Sequence, residues 1–130
     1  MSTKAAVDRY LAALNGGDAD AIAACVTEDF VNEHTSVLGH SRFGRAAYRA
    51  ALPAFLGTFV GLRYDIEDVI VEDDRAAVAY RMSFRWLAAD GTTRPVAVRG
   101  VFRFQVRDGL VAHRVDYWDS GDFNRQIADA

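Results

Sequence analysis

The chain has 130 residues, enough for one domain with a sizeable core. Hydrophobic residues make up 51% and charged residues 25%, which excludes a disordered tail or a low-complexity repeat. With 15 basic against 18 acidic residues, scattered along the chain, the balance argues against nucleic acid as a partner.

Helices come first. Val7, Tyr10, Leu11 and Leu14 mark one face of a helix, started by Ser2 or Thr3 and stopped by Asn15-Gly16-Gly17. Asp18 caps a second, short helix that turns Ile22, Cys25 and Val26 inward. Phe30 to Leu38 reads as extended chain or loop. A third helix runs from about Arg45 to Phe59 with the stripe Tyr48, Leu52, Phe55, Leu56 and Phe59. Pro53 inside it predicts a kink or a break, because proline lacks the amide donor and crowds the preceding turn. The nearly apolar run Ala50–Leu62 is too short to span a bilayer. No apolar leader opens the sequence, and its single cysteine allows no internal disulfide. The expectation is a soluble, cytoplasmic protein.

Strands follow. Arg63–Val71 is β-rich, Ala76–Leu87 alternates, and Val96–Val106 alternates again. Glu72-Asp73-Asp74, Asp90-Gly91 and Asp108-Gly109 supply three turns, Leu110–Trp118 is the last strand, and Ser120–Ala130 closes with one helical turn. Four strands joined in this way make an antiparallel meander. A two-residue turn at Asp108-Gly109 sets Phe104 opposite His113 and Phe102 opposite Val115. The inward face then carries Phe102, Phe104, His113, Val115, Tyr117 and Asp119. Arg103, Arg114, Asp116 and Trp118 fall on the outward face, which suits either solvent or a second subunit.

The order of these elements resembles the NTF2-like superfamily, and within it the SnoaL-like branch of polyketide cyclases and ketosteroid-isomerase relatives. The motifs that carry the resemblance are LNGGDADAIAACVTEDFVNEH, GRAAYRAALPAFL, VFRFQVRDGLVAHRVDYWD and the tail FNRQI, which together cover nearly the whole chain. The resemblance implies an α+β cone, with three N-terminal helices packed on a curved antiparallel sheet, spanning residues 1–130 as a single domain. It also implies an apolar pocket open at one end and homodimers that pair through the sheet.

Carried over by position, the catalytic carboxylate of isomerase-like members falls on His34, a histidine that can also act as a base near neutral pH. The acid/base residue of cyclase-like members falls on Asp119, which can also cap the C-terminal turn. Tyr10 partly matches the isomerase oxyanion donor, and Tyr117 is the neighbour of Asp119. Asp119, His34, Tyr10 and Tyr117 are therefore the candidate catalytic set. Phe55, Phe59, Tyr80, Phe84, Trp86, Phe102, Phe104 and His113 are the candidate pocket wall, although an aromatic stripe or a buried histidine is more often plain core. Cys25 reads as inert core. Spacing for a metal site or a nucleotide loop is missing, so neither a metal nor a cofactor is implied. Two functions fit: a cofactor-independent acid/base enzyme acting on a small apolar carbonyl compound (isomerase, cyclase, dehydratase or hydrolase), or a non-catalytic ligand-binding or dimerisation module.

Overall fold

The computed structural model describes residues 2–36 and 38–128. Helix α1 (Thr3–Gly16) starts at Ser2, whose hydroxyl accepts from the Ala5 amide, and ends at Gly17 in the left-handed region at φ 70°. Helix α2 (Ala19–Ala23) starts at Asp18, whose carboxylate accepts from the amides of Asp20 and Ala21. It stops short of Cys25 and Val26. The chain then enters strand β1 (Val26–His34), so most of the segment read as extended chain or loop belongs to the sheet. Short β2 (Arg42–Phe43) leads into α3 (Arg45–Thr58), which runs through Pro53 undivided. The meander follows: β3 (Phe59–Glu72), β4 (Arg75–Leu87), β5 (Thr93–Arg107) and β6 (Leu110–Trp118). Helix α4 (Ser120–Ile127) is longer than the single turn expected. Asp129 and Ala130, included in that expectation, lie outside the described residues.

One six-stranded sheet results, in the order β2-β1-β6-β5-β4-β3. All neighbours are antiparallel except β1 and β6, which run parallel. Helices α1 and α3 cover its concave face. Val7, Tyr10, Leu11 and Leu14 of α1 and Tyr48 and Leu52 of α3 are buried there against Val78, Tyr80, Phe102 and Phe104. Burying each such side chain stabilises the fold by roughly 1.5–3 kcal/mol. Two side-chain amides act as extra backbone. Asn15 donates to the Tyr64 carbonyl and accepts from the Tyr64 amide. Gln126 does the same for Ala97, which fixes α4 to β5.

The last hairpin decides what enters the interior. Asp108 (φ 54°) and Gly109 (φ 75°) form the two-residue turn, and Arg107 pairs with Leu110 as expected. Val106 then pairs with Val111, but Gln105 pairs with His113, so Ala112 is an extra residue on β6. This bulge turns every later side chain of β6 to the opposite face. Phe104 faces Arg114, Phe102 faces Asp116 and Gly100 faces Trp118. The expected assignment of faces is thus reversed beyond Ala112. Arg114, Asp116 and Trp118 point inward, and His113 and Tyr117 point outward.

Candidate functional site

The inner face of the sheet is a grid. Arg42, Asn32, Arg114 and Phe104 form one row across β2, β1, β6 and β5, and His34, Asp116 and Phe102 form the next. Alternation along β1 brings Phe30, Asn32 and His34 to the helix side, while Glu33 turns out and meets His113 on the opposite face, 3.1 Å away.

Arg114 and Asp116 are each only 4% exposed. Burying an ion pair is costly unless its remaining donors and acceptors are met. Arg114 Nη2 donates to Asp116 Oδ2 at 3.1 Å, and Arg114 Nη1 donates to the Tyr10 hydroxyl at 2.8 Å. The Tyr80 hydroxyl donates to Asp116 Oδ1 at 2.6 Å, and the Tyr10 and Tyr48 hydroxyls share a hydrogen bond of 2.5 Å. The guanidinium also lies 4.5 Å from the centre of the Phe102 ring, a cation–π contact. Burial pushes the phenols of Tyr48, Tyr64 and Tyr80 well above their ordinary pKa, so they are neutral donors at pH 7.

His34 Nδ1 lies 3.7 Å from Asp116 Oδ2, too far for a hydrogen bond. Burial, and then the positive charge of Arg114, pull its pKa down from 6.5 to about 4, although Asp116 pulls the other way. The imidazole is therefore neutral at pH 7.

These groups border a hollow of about 380 Å³ between α3 and the β1–β2 side of the sheet. Its wall is mostly apolar: Leu14, Leu52, Phe55, Phe59, Trp118 and Phe123 contribute, and Asn32, His34, Arg42, Tyr48 and Arg114 supply polar groups. A narrower extension of about 50 Å³ reaches Tyr64, Tyr80, Phe84 and Asp116. Phe55, Phe59, Phe84, Trp118 and Phe123 pack on one another where the two meet. Three buried side-chain atoms have no hydrogen-bond partner among the described residues: Asn32 Oδ1, His34 Nδ1 and Arg114 Nε. All three side chains line the larger hollow. An unmet buried polar atom costs about 1–3 kcal/mol, which makes these three uncommon in a folded interior.

The SnoaL-like domain model matches residues 7–114. The chain belongs to the SnoaL-like family. Solved structures show the same fold. TerC, co-crystallised with polyporic acid, is 21% identical over 98% of both chains, with a TM-score of 0.81. A SnoaL-like polyketide cyclase candidate from Shewanella denitrificans is 15% identical over 96% of both chains, at 0.86. A hypothetical protein with a ketosteroid isomerase-like fold from Catenulispora acidiphila, in complex with trimethylamine, is 16% identical over 93% of this chain and 90% of its own, at 0.82. No curated protein matches significantly.

In this SnoaL-like domain the residues expected to act are only partly brought together. His34 lines the hollow. Tyr10 lies beneath it, fully buried, and reaches it through Arg114 and Tyr48. Asp119 does not face the interior: it is exposed and caps α4, accepting from the Asp122 amide. Tyr117 lies on the outward face, where its hydroxyl accepts from Arg103. The Ala112 bulge is the physical reason for both corrections.

Of the expected wall, Phe55 and Phe59 line both parts of the hollow, and Tyr80 and Phe84 line the extension. Phe102 and Phe104 are buried core beneath the polar network, and Trp86 is half-buried beside the core. His113 is on the outer face with Glu33. Asn32, Tyr48, Arg114 and Asp116 were missed. The available signal was Trp118: set among Phe59, Phe84 and Phe123, it brings Asp116 and Arg114 inward with it by alternation. Among the described residues, no group of three His, Cys, Asp or Glu side chains could hold a metal ion, and no helix is long and apolar enough to cross a membrane.

Proposed function

We propose that this SnoaL-like protein binds a small, largely apolar carbonyl compound and moves a proton on it without a cofactor. One observation carries the reading: Asn32, His34 and Arg114, each with a buried polar atom that lacks a hydrogen-bond partner among the described residues, line a single greasy hollow. Arg114 is a fixed, charged donor at the wall of the hollow. It suits a carbonyl oxygen that gains negative charge as an enolate forms. His34 is neutral at pH 7 and can accept the proton from the carbon beside that carbonyl. Asp116, 3.7 Å from the imidazole, then faces the imidazolium that results. Return of the proton to another atom of the substrate completes an isomerisation; attack of the enolate carbon on a second carbonyl, whose oxygen takes the proton back from the imidazolium, completes a cyclisation. Tyr10, Tyr48 and Tyr80 hold the guanidinium and the carboxylate in place.

The test has two stages. Native mass spectrometry of freshly purified protein identifies a retained ligand. Transfer of that ligand's α-hydrogen to D2O is then followed by NMR with wild type and with His34→Gln. Exchange that slows by about two orders of magnitude in the variant supports the reading. Tight binding with no exchange in wild type favours the non-catalytic module instead. A specific observation keeps that second reading open: an imidazole with a pKa of about 4 is a weak base.

We also propose that two copies pair through the outward face of the sheet. Val101 and Tyr117, 39% and 41% exposed, lie side by side there on β5 and β6. Trp118, expected on that face, is not part of it.

A further inference from the structure

The charges around the hollow are unbalanced, and the imbalance has a location. None of the residues lining the larger hollow is Asp or Glu, whereas two are arginines. Arg114 is matched by Asp116. Arg42 is not matched: among the described residues its guanidinium meets only the Ser41 carbonyl, at 3.3 Å. Arg42 stands in the same row as Asn32 and Arg114, two strands from Arg114. At the usual strand spacing the two backbones are roughly 10 Å apart. His40, exposed beside Arg42, adds further donor capacity at the same end.

A site with a compensated cation at depth and an uncompensated one at its edge fits a molecule with two oxygen-bearing ends. Resting on the function proposed above, we infer that the substrate is an anion: an apolar body with its carbonyl toward Arg114 and a carboxylate or ionised enol toward Arg42. Arg42 is then a specificity residue that takes no part in the proton transfer. Its charge stands at the edge of the hollow, so dissolved salt screens the preference it confers.

The experiment compares 2-naphthoic acid with its neutral near-isostere 2-naphthamide by isothermal titration calorimetry at pH 7, in low and in moderate salt. Wild type is expected to bind the acid about tenfold or more tightly than the amide, with the gap narrowing as salt rises. Arg42→Gln is expected to bring the two within about threefold, and Arg42→Lys, which keeps the charge, to retain most of the preference. Arg42 is on a two-residue edge strand, and a thermal melt checks that each variant folds. If wild type binds the amide as well as the acid, the inference falls and the pocket reading stands. A preference for the acid that survives in Arg42→Gln also overturns the inference, since the charge would be read elsewhere. If neither compound binds, both the inference and the pocket reading fall.

Discussion

His34 makes stability depend on pH in a way that can be calculated. In the unfolded chain its pKa is near 6.5, and in the folded chain about 4. Between these values the unfolded state binds more protons than the folded one, so protonation draws the equilibrium toward unfolding as the pH falls. The loss begins below about pH 6.5 and levels off below about pH 4, and above this window His34 imposes no such penalty. A fall in pKa from 6.5 to about 4 corresponds to about 3 kcal/mol. The groups that act on the imidazole besides burial are Arg114, Arg42 and His40, which lower its pKa, and Asp116, which raises it.

The perturbation is His34→Gln, which removes the titrating group and keeps a polar side chain. Urea unfolding of wild type and variant at half-unit steps from pH 8 to pH 3.5 gives the difference in stability at each pH. Carboxylate titrations common to both proteins cancel in that difference. The variant is expected to gain about 3 kcal/mol on wild type as the pH falls through the window. Observation of the His34 ring by NMR gives the pKa directly. A difference curve flat to within about 0.5 kcal/mol, or an imidazole titrating near 6.5, would refute the argument that His34 is a buried neutral base.

The remaining predictions concern the network and its supports. A Cβ at Gly100 would stand 2.4 Å from the Tyr80 hydroxyl and 2.7 Å from the Tyr117 carbonyl, so Gly100→Ala should displace the ring that donates to Asp116. Overpacking and a weakened charged hydrogen bond should together cost about 2–5 kcal/mol by chemical denaturation. Gly57→Ala, in α3 with nothing within 4 Å, should be neutral or stabilising by up to about 1 kcal/mol, which makes it a control. Asp116→Asn leaves the Arg114 charge buried without its counter-ion and should destabilise by about 3–5 kcal/mol. On an identified substrate it should also lower turnover by about two orders of magnitude. Asp119→Asn should leave turnover unchanged and stability within about 0.5 kcal/mol, because asparagine caps a helix as well as aspartate does. Tyr80→Phe deletes one donor to Asp116 and should cost about 1.5–3 kcal/mol, read from the urea midpoint.

Much of the fold is legible locally. Ser2, Gly17 and Asp18 act where the sequence sets them, because capping depends on residues within one turn of each other. The alternation of Val78, Tyr80, Met82 and Phe84 places all four inward on β4, and the turn at Asp108-Gly109 forms with the pairing its residues dictate. The family and its α+β architecture follow from the order of such elements. Strand β1 is less legible: its acidic and amide residues give no apolar run, and it gains its place by pairing with β6 across the sheet.

The candidate site is where local reading fails. Hydropathy on β6 favours Val115 and Tyr117 inward, and a regular strand would comply. One extra residue, Ala112, turns Arg114 and Asp116 inward instead, and nothing within a few residues of Ala112 makes a bulge compulsory. The bulge is stabilised by partners from far along the chain: Tyr10 and Tyr48 on the helices, Tyr80 on β4 and Phe102 on β5. The sequence alone therefore determined the helices, the turns and the hydrophobic side of most strands, since each depends on neighbours close in the chain. Only the tertiary structure decided which carboxylate and which arginine the interior would hold. That choice depends on whether a buried ion pair finds enough distant hydroxyls to offset its loss of water.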